Sequence, residues 1–266
     1  MIKIASWNIN SVRLRIGLIK EFVEKENPDV LCLQETKVKD EDFPYQGIKD
    51  LGFDHIYFSG EKSYNGVAIF SKLPLVNIEK IDVLNYGHTR HISATLPGGV
   101  RIYNFYIPAG GDEPDVAVNP KFDHKLKFVD FMADYFSKTY DSKNDKLVIL
   151  GDFNIAPLEH DVWSHKQLLK IVSHTPIEVE KLNKVRDNFD FIDSHRYFVD
   201  ENEKLYSWWS YRNRDWKKSN RGRRLDHIWV SNVLKDNLIS SDILKDYRDA
   251  AKPSDHVPII TNLHYS

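Results

Sequence analysis

Cysteine is almost absent from this 266-residue sequence, in which Cys32 stands alone within an apolar run. A single cysteine cannot form an internal disulfide, so the composition favours a reducing compartment such as the cytosol. The N-terminus lacks the long apolar stretch and the cleavage site of a signal peptide, and no apolar run is long enough to span a membrane. We therefore expect a cytoplasmic protein with no membrane partner.

An excess of charge of one sign is also missing. The sequence has 37 lysines and arginines against 39 aspartates and glutamates, a formal net charge of −2. Global basicity therefore does not indicate a nucleic-acid partner, and any surface for one must be local. There is no cysteine cluster and no pair of histidines at metal-ligand spacing, which argues against a zinc site.

The remaining composition is typical of a soluble globular protein. Hydrophobic residues make up 41% of the chain and charged residues 29%, enough of the former for a sizeable core. No linker, low-complexity tract or shift of composition divides the sequence. We therefore expect one domain spanning residues 1–266, and an α/β fold of this length does occur as a single unit.

Apolar periodicity predicts alternating strands and helices. The opening is a β-α-β unit, with a strand at "IKIASWNIN", a helix over residues 12–26 and a buried strand at "VLCLQET". A second helix follows the "NP" pair at residues 119–120, and a "TP" pair opens a third that runs from 176 to about 188. Further strands are predicted at 55–60, 66–72, 90–96 and 99–107, and at "KLVIL", "HIWVS" and "VPIITNL".

Polar side chains lie at the ends of several of these strands. They are Asn8 and Asn10 after "IKIASW", Glu35 after "VLCLQ", Asp152 and Asn154 after "LVILG", Asp226 before "HIWV", and Asp255 with His256 before "VPII". Residues i and i+2 of a strand point to the same side, so Asp152 and Asn154 can face one spot. Each piece alone is typical of a turn, a cap or a solvated strand end. Their joint occurrence indicates a functional site.

Such a set suits metal-assisted hydrolysis of a phosphate ester. Oxygen ligands from few carboxylates favour Mg²⁺, which keeps several waters and takes further ligands from phosphate. The reaction requires neutralised phosphate oxygens, a nucleophilic water and a stabilised leaving oxygen. One acid for the metal, one acid as base and one histidine on the phosphate would supply them.

Seven motifs appear together in a familiar order. They are "WNIN", "LCLQETK", "YNGVAIFSK", "YIPAGG", "ILGDFNIAP", "RGRRLDHIWVS" and "SDHVPI". With them the sequence resembles the exonuclease III type of apurinic/apyrimidinic endonuclease, within the endonuclease/exonuclease/phosphatase superfamily. The resemblance runs from about residue 2 to the C-terminus. It implies an α/β fold, a four-layered α-β-β-α sandwich of two mixed β-sheets flanked by helices.

The resemblance also implies which residues lie around the metal and the attacking water. Glu35 is similar to the metal-binding glutamate, with Asn10 and Asp255 near the metal. Asp152 resembles the acid that orients or deprotonates the water. Asp152 and Asn154 are further candidate metal ligands. The implied ion is Mg²⁺, with Mn²⁺ as a substitute.

Five residues are implied to act around the nucleophile and the phosphate. Asn8, like Asn154, resembles an amide near the nucleophile and the phosphate, and Tyr106 the tyrosine that faces the scissile phosphate. Asp226 and His256 resemble the paired Asp–His whose imidazole contacts a phosphate oxygen. The pairing is physically reasonable, because a neighbouring carboxylate favours imidazolium and a charged donor binds phosphate more strongly.

The segment over residues 206–226 favours DNA over other phosphate esters. Basic groups bind backbone phosphates, and aromatic rings stack on bases or line a sugar pocket. A solvated loop with two core tryptophans is the plainer interpretation. The segment's basic residues are Arg212, Arg214, Lys217, Lys218, Arg221, Arg223 and Arg224, interleaved with Trp208, Trp209, Tyr211 and Trp216.

The candidate DNA-binding residues come mainly from this segment. They are Arg212, Lys217, Lys218, Arg221 and Arg223, with Trp208 at the position that packs against a flipped-out abasic sugar and Lys125 as a lesser phosphate contact. An abasic nucleotide is easily extruded because it has no base to unstack.

Two residues depart from the family pattern. Ala109 stands where many members have Asn or Gln, so this loop loses a donor to DNA. Arg223 replaces the Trp or Leu often seen before "RLD", which would alter the wall of the abasic pocket.

We therefore expect a DNA repair nuclease that cuts 5′ to abasic sites, leaving a 3′-hydroxyl. Exonuclease action in the 3′-to-5′ direction and removal of 3′-phosphates or other blocking groups would accompany it. The expected partner is double-stranded DNA, bound by a monomer associated with the nucleoid. The alternatives are a phosphatase acting on inositol phosphates or lipids and a non-catalytic DNA-binding module. DNase I-like members carry disulfides and a second histidine in place of Tyr106.

Overall fold

Apolar runs rich in Val, Ile and Leu form the strands of two six-stranded sheets. The computed structural model describes residues 1–213 and 215–265, so Arg214 lies outside the described residues. The first sheet contains β1 (Ile2–Asn8), β2 (Val30–Gln34), β3 (His55–Glu61), β4 (Tyr64–Ser71), β13 (Leu238–Ile243) and β14 (Ile259–Leu263). Its spatial order is β13-β14-β1-β2-β4-β3.

The second sheet is assembled from the middle of the chain. It contains β5 (Val76–Glu79), β6 (His91–Thr95), β7 (Arg101–Tyr106), β8 (Leu147–Asp152), β9 (Ile192–Asp193) and β12 (Asp226–Val230). Its order is β5-β6-β7-β8-β12-β9. A separate short ribbon pairs β10 (Trp208–Trp209) with β11 (Gly222–Arg223).

The helices are α1 (Ile16–Glu26), α2 (Tyr45–Lys49), α3 (Pro120–Thr139), α4 (His165–Leu168), α5 (Pro176–Asp187), α6 (Ser194–Phe198) and α7 (Trp216–Ser219). The longer helices α1, α3 and α5 lie on the outer faces of the sheets, and shorter helices lie in the connections. Short 3₁₀ turns occur at Asp40–Asp42, Val83–Asn85, Pro97–Gly99, Glu159–Asp161, Asn232–Asn237 and Lys245–Asp249. In the part of the chain that the structure describes, no helix has both the length and the apolarity needed to cross a bilayer.

The layering follows from which faces are apolar. Ile4 and Cys32 of the first sheet pack with Ile102 and Leu150 of the second in a central core between the sheets. A second core lies between the first sheet and α1, and a third lies between the second sheet and helices α3 and α5. Helices therefore cover both outer faces, which confirms the predicted four-layered sandwich of two mixed sheets.

One buried polar contact links the two sheets. Gln34 at the end of β2 donates to the side-chain oxygen of Asn104 on β7 at 2.7 Å. The Asn104 amide donates in turn to the carbonyls of Leu33 and Ala68 at 3.0 and 2.9 Å. Both side chains are fully buried. A misaligned pair would leave buried groups unsatisfied, so this contact favours one relative position of the sheets.

Two pairs of parallel strands determine at which edge of each sheet the polar residues lie. β1 pairs in parallel with β2, with Asn8 opposite Gln34, and β7 pairs in parallel with β8, with Tyr106 opposite Asp152. Parallel neighbours end at the same edge of a sheet. The polar residues that follow these strands are therefore gathered at one edge of each sheet.

The predicted elements are confirmed with local corrections. The four strands predicted between residues 55 and 107 occur within two residues of their expected ends. The "TP" helix begins at Pro176 and has a capping box between Thr175 and Glu178. The sequence-based prediction did not include β5, β13 or the two-residue strands β9, β10 and β11.

The first helix begins at Ile16 rather than at residue 12. The backbone N–H groups of Ile9, Ser11 and Val12 donate instead to the carbonyls of residues 34–36. Val12 is fully buried in the turn that precedes the helix, so its apolar side chain belongs to the core although it is not helical.

The contact between the sheets yields a stability prediction. Asn104→Ala removes three hydrogen bonds and leaves Gln34 and two carbonyls buried without their partner, so we expect a loss of about 3 kcal/mol in the free energy of unfolding. Urea denaturation checks this value. Asn232→Ala, at an exposed position, is the control and should stay within about 0.5 kcal/mol of the parent. A change that small for Asn104→Ala would contradict the assigned role.

Candidate active site

Three of the predicted residues lie in one row across the second sheet. Asp152 at the end of β8 is the register partner of Tyr106 on β7 and of Asp226 on β12. Adjacent strands are about 4.8 Å apart, so the three side chains are neighbours. The sheet itself therefore sets their spacing.

The "GDFN" sequence turns two polar groups toward the same side. Gly151 has φ 131°, and a Cβ there would lie 1.9 Å from the carbonyl oxygen of Phe105, so only glycine fits. Phe153 is fully buried and stacks on His227. Asn154, at φ 54°, donates its backbone N–H to Asp152 Oδ1 at 2.9 Å and its amide to Asp152 Oδ2 at 3.1 Å.

Asn8 joins the acids of the two sheets. Its amide nitrogen lies 2.8 Å from Glu35 Oε1 and 2.8 Å from Asp152 Oδ2. Tyr106 donates its hydroxyl to the same Glu35 oxygen at 2.8 Å. Burial, followed by the negative charges of Glu35 and Asp152, holds the pKa of Tyr106 well above its ordinary value. The tyrosine therefore stays a protonated donor.

His256 lies between two carboxylates. Its Nδ1 is 2.8 Å from Asp226 Oδ2, and its Nε2 is 3.6 Å from Asp152 Oδ2. Burial alone would lower the pKa of His256, but the carboxylates of Asp226 and Asp152 outweigh it and raise the pKa to about 10. The imidazole is therefore a cation that can face an anionic phosphate.

Asp152 has an environment suited to a base. Burial raises its pKa above the ordinary value, and the charge of His256 opposes this effect only in part. Asp226 and Glu35 also raise the pKa, because like charges disfavour ionisation. A carboxylate tuned upward in this way can accept a proton near neutral pH.

Serines that the sequence analysis missed orient the Asp–His pair. Ser207 donates its hydroxyl to Asp226 Oδ2 at 2.6 Å and accepts the backbone N–H of Asp226 at 3.1 Å. Ser254 donates to the backbone carbonyl of Asn8 at 2.7 Å and accepts the N–H of His256 at 3.2 Å. A serine has no distinguishing pattern in a single sequence, so only the fold identifies these two.

Lys37 marks a cation position beside Glu35. Its Nζ lies 2.8 Å from Glu35 Oε2 and 2.6 Å from Asn10 Oδ1. Glu35, Lys37 and Asn10 all have positive φ angles, of 52°, 52° and 46°, a strained conformation that persists mainly at functional sites. Burial raises the pKa of Glu35, but the charge of Lys37 and the bonds from Asn8 and Lys37 lower it overall. Lys37 lies in the quoted "LCLQETK" motif, yet the sequence analysis did not select it.

These oxygens fit a hard metal ion. An ammonium group already occupies a point between a carboxylate and an amide oxygen, the ligand types that Mg²⁺ prefers. Ligand atoms of Glu35, Asp152 and His256 also lie within 4.8 Å of one another. A protonated histidine cannot ligate a metal, so His256 belongs to this cluster as a charge neighbour rather than as a ligand.

Asp255 lies at the rim of the cation position. It accepts from the amide of Asn10 at 3.1 Å and from the indole N–H of Trp208 at 3.0 Å. Burial opposes ionisation, but His256 and these donors lower the pKa of Asp255 overall. Asp255 therefore links the predicted metal residue Asn10 to the predicted DNA residue Trp208.

The predicted DNA-binding residues are only partly accessible. Arg212, Lys217, Lys218 and Arg221 are exposed, although Lys217 pairs with Asp249 at 2.6 Å. Trp208 is half-buried, and the guanidinium of Arg223 lies 5.3 Å from the centre of its ring. By contrast, Trp209 is buried in the core.

Lys125 is a correction to the sequence analysis. The side chain is fully buried and forms an ion pair with the equally buried Glu178 at 2.5 Å. Its Nζ also donates to the carbonyls of Asn154 and Ala109 at 2.8 and 3.2 Å. It therefore cannot contact a DNA phosphate, and it supports the backbone of Asn154 instead.

Arg224 was likewise counted in the basic segment but belongs to the interior. It is fully buried and pairs with Asp161 at 2.8 Å and Asp193 at 2.7 Å. These contacts consume its charge. The basic surface available for the predicted DNA contact is therefore smaller than the composition of residues 206–226 indicates.

The Asp–His pair yields a titration prediction. The folded-state pKa of His256 is raised, so its charge stabilises the fold below its unfolded value of about 6.5 and this contribution is lost as pH rises through about 10. Asp226→Asn removes the closest carboxylate, so we expect the pKa of His256 to move back toward its ordinary value. NMR titration of the imidazole resonances in EDTA measures it. Asp236→Asn, at an exposed position, should change nothing, and an unshifted His256 in Asp226→Asn would contradict the assignment.

Comparison with known proteins agrees with this geometry. The profile of the Endonuclease/Exonuclease/phosphatase family matches residues 5–256. The exodeoxyribonuclease III of Haemophilus influenzae is 35% identical over 268 residues, covering 97% of this chain and 98% of that protein. An AP endonuclease from Archaeoglobus fulgidus superimposes with a TM-score of 0.92 at 30% identity, covering all of both chains. The 3′ phosphatase NExo from Neisseria, solved with a product DNA hairpin, gives 0.91 at 29% identity, again over all of both chains.

The family profile matches nearly the whole chain, and the relatives are similar to it in sequence and in fold. The predicted resemblance to the exonuclease III type is confirmed. The chain therefore belongs to the endonuclease/exonuclease/phosphatase family.

Proposed function

We propose that this enzyme is a DNA repair nuclease that hydrolyses the phosphodiester 5′ to an abasic site and leaves a 3′-hydroxyl. It also removes nucleotides, phosphates and other blocking groups from 3′ ends of duplex DNA. The observation that carries the proposal is the convergence of Glu35, Asp152 and the Asp226–His256 pair at the joined ends of two sheets. The names of the relatives support DNA as the substrate, because they include exodeoxyribonuclease III and an AP endonuclease.

Asp152 acts on the attacking water. Its raised pKa allows it to accept a proton near neutral pH. Asn154 donates to both Asp152 oxygens and Asn8 donates to one of them, so the carboxylate is held in one orientation. Lys125 fixes the carbonyl of Asn154 from beneath. This arrangement supports Asp152 as the general base.

His256 and Tyr106 act on the phosphate. The imidazolium of His256, maintained by Asp226, neutralises charge that develops on a phosphate oxygen. The Tyr106 hydroxyl donates its hydrogen bond to Glu35. It can redirect this hydrogen bond to an oxygen of the phosphate ester. Arg90 packs on the Tyr106 ring at 4.7 Å and bonds its backbone carbonyl, so the tyrosine is positioned from behind.

Mg²⁺, with Mn²⁺ as a substitute, is the proposed cofactor. Glu35 and Asn10 would hold it where Lys37 now lies, with Asp255, Asp152 and Asn154 as nearby candidate ligands. When bound, such an ion neutralises the phosphate oxygens and stabilises the leaving 3′-oxygen. With that position filled, the ammonium of Lys37 would be available to bind the phosphate.

DNA would lie across the segment over residues 206–226. Exposed Arg212, Lys218 and Arg221 supply phosphate contacts, and Lys217 can exchange Asp249 for a phosphate. Trp208, next to the site, supplies an aromatic surface for the extruded nucleotide. The relative from Neisseria that was solved with a product DNA hairpin supports this use of the fold.

Three organisational features remain proposals. We propose one domain, since both sheets share the central core, and a monomer, since a single chain supplies every residue of the site. We also propose a cytoplasmic enzyme that meets its substrate in the nucleoid. The unpaired, fully buried Cys32 supports a reducing compartment.

The base assignment gives a sharp test. Asp152→Asn keeps the shape but cannot accept a proton, so we expect turnover on a duplex with one abasic analogue to fall about 10³-fold. Binding of that duplex should remain. Turnover is measured by mapping product ends with Mg²⁺, Mn²⁺ or EDTA, and EDTA should stop the reaction. Lost binding with retained turnover would refute the role.

The basic segment gives a second test. Arg212→Gln and Lys218→Gln should each lower the slope of log affinity against log salt by about 1, because each removes one phosphate contact. Fluorescence anisotropy of an abasic duplex over a salt series measures the slope. Lys138→Gln is the matched control. Lys138 lies far from the active site, because the rise of α3 puts it about 20 Å from Lys125, which supports the active-site backbone. Equal slopes in all three variants would place the DNA elsewhere.

A further inference from the structure

Arg223 lies one strand beyond Trp208, which is next to His256, the residue proposed to contact the phosphate. Trp208 forms an isolated β-bridge with His256 on one side and pairs with Arg223 on the other. Since adjacent strands are about 4.8 Å apart, the backbone of Arg223 is about 10 Å from that of His256. An arginine side chain spans most of that distance. The residue is therefore close enough to meet a group attached to the phosphate that His256 contacts.

The guanidinium of Arg223 is held in place. Nη1 donates to the carbonyl of Val172 at 3.1 Å and to the hydroxyl of Ser173 at 2.8 Å. Its central carbon lies 5.3 Å from the centre of the Trp208 ring, whose indole N–H donates to Asp255. Within residues 1–213 and 215–265, Nη2 makes no hydrogen bond and the buried Nε has no partner. A fixed cation thus keeps unused donors.

The charge around Arg223 is not balanced. Burial lowers the pKa of Arg223, and the charge of Glu178 opposes this effect only in part. Glu178 is fully buried and already paired with Lys125 at 2.5 Å. Glu178 also accepts from the backbone of Ser173 and from the backbone and hydroxyl of Thr175. The cations of Lys125 and Arg223 therefore share the carboxylate of Glu178, whose oxygens already accept hydrogen bonds from other donors. A buried charge without a partner is costly, so an anion would stabilise this site.

We propose that Arg223 forms an anion subsite for a negatively charged group carried by the scissile phosphate, on the side opposite the leaving 3′-oxygen. The subsite rests on the proposed function and narrows its substrate class. In the reaction, a water oxygen bonds to phosphorus, the bond from phosphorus to the 3′-oxygen breaks, and that oxygen leaves with a proton. The group on the other ester oxygen stays with phosphorus and occupies the subsite.

Two substrates carry an anion at this place. One is a broken 3′ end that bears phosphoglycolate, whose carboxylate is free. The other is a strand that continues past the abasic nucleotide, whose next phosphate is free. A neutral substituent of the same size can accept only a weaker hydrogen bond from Arg223, so the enzyme should discriminate against it.

Two matched pairs of duplex substrates test the subsite. The first pair has a nick with a 3′-phosphoglycolate or with a neutral 3′-(2-hydroxyethyl) phosphate. The second has a tetrahydrofuran abasic analogue inside the strand or at its 3′ terminus, where the next phosphate is absent. The readout is the ratio of kcat/KM within each pair, since loss of folded enzyme lowers both members equally.

We expect the parent enzyme to prefer the anionic member of at least one pair by about tenfold, the gain of a charge-assisted over a neutral hydrogen bond. Arg223→Gln should bring that ratio close to one, and Arg223→Lys should keep part of it. Arg186→Gln, an arginine on the surface of α5 paired with Asp187, is the control and should leave both ratios unchanged.

The outcomes separate the sources. Loss of preference in the first pair alone assigns the subsite to the carboxylate, and loss in the second alone assigns it to the strand phosphate. The subsite is refuted if Arg223→Gln leaves both ratios unchanged. It is also refuted if Arg223→Lys lowers the ratios as much as Arg223→Gln does. A parent enzyme that cuts none of the four duplexes refutes the proposed function itself.

Discussion

The amide nitrogen of Asn8 is the contact on which the site depends, because it holds together two carboxylates that would otherwise repel. Glu35 follows a strand of the first sheet and Asp152 ends a strand of the second, yet both accept from this one nitrogen at 2.8 Å. Bringing buried carboxylates so close is unfavourable unless positive charge and donors surround them. Lys37, Tyr106 and His256 supply these on the remaining sides.

The rest of the fold keeps that meeting point in place. Parallel pairing of β1 with β2 and of β7 with β8 brings the strand ends to the same edges. Directly behind the site, the buried Gln34–Asn104 contact fixes how one sheet lies on the other. Left-handed backbone at Glu35 and Asn154 then turns the chain sharply after each strand. Such strain costs of order 1 kcal/mol per residue, which a site fixed by two sheets can absorb.

The positive charge of the chain is divided between interior and surface. Lys125 and Arg224 are fully buried in ion pairs. The Lys125 pair supports the backbone of the active site, and the Arg224 pair lies in the protein interior. Arg212, Lys218 and Arg221 are exposed and free to meet DNA. Arg223 lies between these two groups, half-buried on Trp208. The distinction depends on where each side chain points, so a count of basic residues overstates the surface proposed to bind DNA.

The β-α-β opening, the helix that starts at Pro176 and the polar residues at strand ends could be predicted from the amino-acid sequence, because apolar periodicity, capping residues and i, i+2 spacing are local properties. The ordered motifs added the family. Three features became visible only in the tertiary structure. Val12 is buried without being helical, Lys37 lies between Glu35 and Asn10, and Lys125 pairs with Glu178. These facts depend on contacts between residues that are remote along the chain or that the backbone turns toward each other, and no local pattern encodes such contacts.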